Sequence, residues 1–344
     1  MSEIRSLTGL RGVAALWVIA FHLEFVWDPW NAAHVFVNHG YLGVDLFFIL
    51  SGYIMARTYG GPFTPARYAI FLRKRFARTY PLFITVTLAA VAVGAVSEAR
   101  EQIICGVAAL IPNLLLIQSW GTPFCPIVSP SWSISTEWAA YFLFPLLWLC
   151  TTRWTRAAAC IAAATVLLLS LLSDETVHQV GCRIGPLNLG AGETFFPLLR
   201  CFSEFSLGLI AYRATGVRDA SLWVAALIIG LLCFKATDVP VVLLFCVLVA
   251  MLGRDRGPVA AVLGWRPIYF LGEVSYSIYM VHYPLIVITR PAVANLPVAY
   301  RNNVLDIIVI SATLVLATAC HYWIERPARR WLSPSRQPAV ALAD

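Results

Sequence analysis

Apolar runs of about 20 residues, the length that crosses a ~30 Å hydrocarbon core, recur from one end of this sequence to the other. They fall at 8–27, 41–58, 79–97, 103–119, 133–150, 156–173, 195–213, 220–234, 238–253, 272–290 and 303–325. Only 12% of the 344 residues are charged and 60% are hydrophobic, where soluble domains average about 25% charged. Mean hydropathy is +0.76. The pattern predicts an all-α integral membrane protein with one transmembrane domain over 1–332 and a short, disordered cytoplasmic tail at 333–344. The first run is too long for a cleavable signal peptide, and many more spans follow it.

Parity decides the topology. Eleven crossings would put the two ends on opposite sides and send the arginines of 57–78 or of the tail outside. Ten crossings, with 103–132 re-entrant or surface-lying, keep both ends cytoplasmic. That segment contains Pro112, Pro123, Pro126 and Pro130, which break a spanning helix. Ten spans place eighteen Lys and Arg residues on the cytoplasmic side against six outside, with Arg11 set apart. Cytoplasmic loops carry such an excess. The net charge of +7 is therefore topological and gives no reason to expect nucleic acid. The nine cysteines show no CxxC and the six histidines no metal-binding spacing, so no metal is expected. Cys105, Cys125 and Cys182 are candidates for an outer disulfide.

Intramembrane polar residues sort by depth. Arg11 and His22 lie eleven residues apart on the first span, close to three whole turns and about 16 Å, so both occupy one helix face. With the second and the 133–150 spans running inward, Asp45 and Glu137 come to the depth of His22. Ionisable groups inside a membrane are costly and face a bundle interior or a pathway. A single such histidine is as well explained by packing, but three groups at one depth point to a site. Arg200 and Glu204 read as an internal (i, i+4) ion pair with a structural role.

The loop YAIFLRKRFARTYP carries Arg73, Lys74, Arg75 and Arg78. They suit anchoring at anionic headgroups, yet Arg75 and Arg78 share a helix face, and paired guanidiniums also grip phosphate. A donor that binds there and reacts at His22 must be long, thin and phosphorylated. Acyl-CoA meets that description. Arg11 would line its channel and His22 would serve as general base on a hydroxyl, oriented by Asp45 or Glu137. An acyl-histidine step is equally open.

These residues sit in LTGLRGVAALWVIAFH, GVDLFFILSGY, RKRFARTYP, PSWSISTEWAAYF, RCFSEFSLG, LGEVSYSIYMVHYPL and IERPARRW. In that order the chain resembles acyltransferase family 3, integral-membrane O-acyltransferases that modify bacterial surface polysaccharides and other glycosylated acceptors. The resemblance covers nearly the whole chain. It implies a ten-span core in the bacterial inner membrane, no permanently bound cofactor, acyl-CoA (acetyl-CoA by default) as co-substrate, and a glycan acceptor near the outer face. It marks His22 as catalytic with Arg11, and Arg75 and Arg78, with Arg73 beside them, at the donor. Glu137 and Glu325 match further motif carboxylates, Glu325 shaping the donor site. Ser131, Trp132, Ser133, Arg200, Glu204, Tyr279 and His282 are left to acceptor binding or structural support. Many such proteins carry a fused hydrolase-like domain. Its absence here implies a stand-alone form that completes transfer itself or hands on to a polysaccharide-assembly protein. Acylation of a glycosylated small molecule such as a macrolide is the alternative acceptor class. A transporter would show two related halves, which this sequence does not. A non-catalytic scaffold would have no use for the layered charges.

Overall fold

The computed structural model describes residues 3–23, 32–96, 107–180, 186–188, 194–214 and 218–333. The helices are α1 (Arg5–Leu23), α2 (Ala32–Asn38), α3 (Leu42–Tyr59), α4 (Pro65–Val96), α5 (Leu110–Leu114), α6 (Trp132–Arg153), α7 (Thr155–Val180) and α8 (Phe196–Arg213). They continue with α9 (Ser221–Leu231), α10 (Asp238–Leu252), α11 (Pro258–Leu263), α12 (Arg266–Glu273), α13 (Ser275–Val293), α14 (Val298–Cys320) and α15 (Arg326–Leu332), a π-helical turn at His321–Glu325 joining the last two. No strand occurs among the described residues.

Five stretches are long and apolar enough to cross a membrane: Arg5–Leu23, Val35–Tyr59, Pro65–Gly94, Thr155–Leu172 and Asn303–Leu332. Helices α9 and α10 are apolar but shorter. This is a multi-pass membrane protein. Between residues 107 and 131 the longest helix is α5, with 5 residues, about 7.5 Å of rise against a ~30 Å core. That stretch does not cross as a helix. Cys125 is disulfide-bonded, while Cys105, Cys182 and the tail 334–344 lie outside the described residues.

Two packings position the interior. The first joins α3 to α8. A Cβ on Gly52 would stand 2.0 Å from the Phe205 carbonyl oxygen, and one on Gly208 2.0 Å from that of Ile49. Only glycine allows the two backbones so close, the small-residue device of membrane helices. Asp45 meets Arg200 one end along the same seam, so residue numbers rise together and the helices run parallel. Three long helices lie between them in the chain, which returns α8 to the direction of α3 provided that 107–131 adds no crossing.

The second packing joins α1 to α12 and α13. Gly12 lies against the Gly272 backbone, where a Cβ would be 2.6 Å from the amide nitrogen. Ten residues further on each chain, His22 meets His282. A constant offset of 260 thus runs the first span beside the thirteenth helix, parallel and in register.

The start of α1 is closed by a residue from a distant loop. Asp255, at φ 53° in the left-handed region where Asp is among the better-tolerated residues, accepts the Ser6 amide at 2.9 Å and the Arg5 amide at 3.2 Å. Burial pushes its carboxyl up, but these hydrogen bonds and the Arg5 cation outweigh it and hold the group below its ordinary value. The carboxylate therefore contributes above about pH 4 and its contribution fades as pH falls through the lowered value. Removing such a cap costs about 0.5–2 kcal/mol, and this exposed one belongs at the lower end. Asp255→Ala should lower the melting temperature in detergent at pH 7 by about 2 °C. The gap between the two proteins should narrow as the pH drops below about 4.

Candidate active site

Helices α1, α3, α4, α6 and α13 enclose a cavity of about 160 Å³. Its α3 wall is the stripe Val44, Phe47, Phe48, Ser51, Ile54 and Met55, spaced as one face of a 3.6-residue repeat. Arg11 enters from α1, Arg75, Arg78 and Thr79 from α4, and Glu137 and Tyr141 from α6. Ser275, Tyr276 and Tyr279 complete it from α13. Three guanidiniums thus face one carboxylate.

The guanidiniums are poorly used by the protein. Arg75 lies over the Tyr59 ring at 5.6 Å and reaches the Tyr59 hydroxyl at 3.4 Å, while its buried Nε has no partner. Neither Arg11 nor Arg78 donates a hydrogen bond to another described residue. The buried Arg75 Nε, left without a partner, costs about 1–3 kcal/mol. The arrangement is that of an anion site. Glu137 and Tyr141, one turn apart on α6, both line this cavity with the arginines.

His22 stands outside this lining. Its Nδ1 is 2.9 Å from the Val18 carbonyl oxygen and 3.3 Å from Nε2 of the fully buried His282. His282 Nδ1 in turn lies 3.2 Å from the Ile278 carbonyl. Carbonyls only accept, so the hydrogen-bond network assigns the proton of each neutral ring to Nδ1. His282 Nε2 then accepts from His22 Nδ1–H, and His22 Nε2 is left with a bare lone pair. That is the form a general base or nucleophile needs. His22 keeps part of its surface accessible.

Tyr279 separates the two regions. It stands one turn before His282 on α13, about 4.5 Å along the axis. Its hydroxyl donates to the Pro130 carbonyl at 2.9 Å and bonds with Ser133 Oγ at 2.7 Å. Its ring packs on Phe47 at 5.8 Å and on His282 at 5.9 Å.

Several expected placements change. Asp45 does not orient His22; it is fully buried and accepts from both Nε (3.0 Å) and Nη2 of Arg200. The partner of His22 is instead His282. Arg200 meets Asp45 more closely than Glu204, which is 3.7 Å from its Nε, and it lies 5.4 Å from the Trp132 ring. Arg73 points away from the cavity and donates to the Leu332 carbonyl at 2.7 Å. Glu325 does not line the cavity. It accepts from Ser277 Oγ and, at 2.6 Å, from Arg329, tying the π-helical turn to α13 and α15. Ser131 Oγ accepts from Gln118 at 3.3 Å, in the short-helix segment. Phe47, Ser51 and Tyr141 were missed by the sequence reading, although the helical stripe on α3 is legible in GVDLFFILSGY.

The sequence match decides the family. The acyltransferase domain of the acyltransferase 3 family aligns with residues 4–325, from the first turn of α1 to Glu325. The chain belongs to the acyltransferase 3 family. It is 28% identical to the acyltransferase MdmB of Streptomyces mycarofaciens, over 98% of this chain and 95% of that one. It is 27% identical to YrhL of Bacillus subtilis, which carries a provisional name as a peptidoglycan O-acetyltransferase, over 95% of this chain and 55% of that one. It is 24% identical to the peptidoglycan O-acetyltransferase OatA of Listeria monocytogenes, over 95% of this chain and 56% of that one. The chain therefore spans about half the length of the last two. No solved structure matches it.

If His282 steadies the protonated His22, losing its Nε2 removes one hydrogen bond to a charged group, worth about 1.5–3 kcal/mol. His282→Leu should lower the acyl-transfer kcat by about 10- to 100-fold with the donor KM unchanged. His282→Gln, which retains an acceptor, should recover part of the rate.

Proposed function

We propose that this chain is a membrane O-acyltransferase that takes an acyl group from acyl-CoA at the arginine-lined cavity and delivers it to a glycan hydroxyl beside His22. One observation carries the reading: a cavity lined by three guanidiniums shares Tyr279 with His282, the ring partner of a His22 whose Nε2 is left unprotonated. The cavity is about 160 Å³, similar to the ~150 Å³ that holds one benzene. It suits the thioester end of the donor, with Arg11, Arg75 and Arg78 towards the phosphates and the nucleotide outside.

In the transfer step the acceptor hydroxyl gives its proton to His22 Nε2 while its oxygen attacks the thioester carbonyl carbon. A C–O bond forms and the C–S bond breaks. His22 is then an imidazolium whose Nδ1–H stays bonded to the Val18 carbonyl and His282, and its Nε2 proton passes to the departing CoA thiolate, directly or through water. Acyl-CoA is a cytoplasmic donor, and the arginines of α4 fit the cytoplasmic side, as does the positive-inside bias. A disulfide at Cys125 suits an oxidising outer compartment. Both support an inner-membrane enzyme with cytoplasmic termini and an acceptor from the outer side.

The names of the Listeria and Bacillus relatives support an O-acetyl group and a cell-surface glycan as acceptor. A glycosylated small molecule is the second acceptor class, compatible with the near end-to-end match to a Streptomyces acyltransferase whose name specifies no acceptor.

The test is CoA release from acetyl-CoA by the purified protein in proteoliposomes, with and without an oligosaccharide acceptor. Release that depends on acceptor should fall by about 10²- to 10⁴-fold in His22→Ala, the usual loss on removing a general base, with donor binding retained. Arg75→Ala and Arg78→Ala should raise the donor KM by about 10-fold or more, as loss of a charged hydrogen bond implies. Donor binding without any release, across acceptors of both classes, would contradict the reading. So would loss of donor binding on replacing His22.

A further inference from the structure

The two halves of the cavity differ in chemistry. Arg11, Arg75 and Arg78 bring cations to the lining, while the early turns of α3 and α6 bring Val44, Phe47, Phe48 and Ile134, with Ser133 bonded to Tyr279 beside them. An apolar end beyond a cationic mouth fits a short hydrocarbon tail carried behind a phosphorylated head. The outer end is closed by two aromatic rings of unequal firmness. Tyr279 is 6% exposed and pinned through its hydroxyl to Pro130 and Ser133. Phe47 is half-buried and rests on Tyr279 by a ring contact alone, at 5.8 Å with the planes at 72°. A carbonyl held at the Tyr279 level lies one turn of α13 from His282, the partner of His22, and its tail then faces Val44, Phe47 and Phe48. There is little room for it in about 160 Å³.

We propose that Phe47, braced by Tyr279, sets the length of the acyl group transferred, admitting two carbons and turning away four. The proposal rests on the acyl-CoA reading above and adds the residue that limits its substrate. Phe47 acts by shape at the tail, whereas Tyr279 serves as a positioning residue that holds the ring in place. Each methylene that a pocket accepts or rejects is worth about a 10- to 200-fold change in kcat/KM.

The experiment compares acetyl-, propionyl- and butyryl-CoA with one oligosaccharide acceptor, using the full chain in proteoliposomes, in wild type, Phe47→Ala and Phe47→Leu. Wild type should prefer acetyl over butyryl by about 100-fold or more, two methylenes at the lower bound. Phe47→Ala should raise the butyryl-to-acetyl ratio of kcat/KM by about 10-fold or more, with Phe47→Leu between the two. A merely structural role would slow all three donors together and leave the ratio unmoved. The inference is overturned by an unchanged ratio in a folded, active variant, whether Ala or the milder Leu, or by a wild type indifferent to length. Wild type inactive on every donor overturns the acyl-CoA reading itself, and the length limit with it.

Discussion

The fastening of α3 to α8 is the contact on which the interior depends. One end is a buried ion pair, Asp45 with Arg200, and the other is the glycine contact at Gly52 and Gly208. In hydrocarbon neither charge has water to fall back on, and breaking one side of a buried pair costs about 3–5 kcal/mol. The pair fixes how α3 is rotated about its own axis. That rotation turns the opposite face of α3, from Val44 to Met55, towards the cavity. A helix free to roll by one residue would swing about 100° and replace the side chains of the wall with others. The ion pair thus acts on the site while standing outside it.

The same logic explains why the first span tolerates Arg11. Its guanidinium faces neither lipid nor a carboxylate of its own but a cavity shared with Arg75 and Arg78. Three like charges in one small space repel, and Glu137 offsets only one. An anionic ligand would relieve both the repulsion and the unmade hydrogen bonds, so the fold carries a cost that binding can remove. Arg329 differs, since Glu325 already holds it at 2.6 Å.

Depth was legible in the sequence along α1 but not for Glu137, which was expected at the level of His22 and lines the cavity with the arginines instead; azimuth was not legible. A rise of 1.5 Å per residue placed Arg11 low and His22 high on one face, and the structure keeps them on α1 with only Arg11 lining the cavity. The same arithmetic brought Asp45 to the level of His22 but said nothing of the direction in which it points. Its partner turned out to be Arg200, 155 residues away. The partner of His22 was hidden for a related reason. The in-register packing of α1 on α12 and α13 joins residues 260 apart, and no local periodicity encodes that offset. Prolines, by contrast, act locally. Their density in 103–132 marked a segment that the structure resolves into turns and a 5-residue helix over its described part.

Tyr279 gives the site two sides. A thioester exposed to water and to a bare imidazole at once invites hydrolysis, the side reaction that enclosed sites suppress. Here Tyr279 lines the cavity and packs on His282, while His22, partly accessible, stands outside the lining beside His282. The hydroxyl bonds to Pro130 and Ser133 tie that ring to the segment just before α6. Proline residues keep this segment short of a spanning helix, so its carbonyls remain available to side chains. The Pro130 carbonyl that latches Tyr279 is therefore a product of the same local chemistry that keeps the fourth apolar run, 103–119, and the segment after it from forming a spanning helix. The irregular segment and the Tyr279 ring are one structural device, in which backbone released from helical hydrogen bonding holds a ring that touches both the cavity and His282.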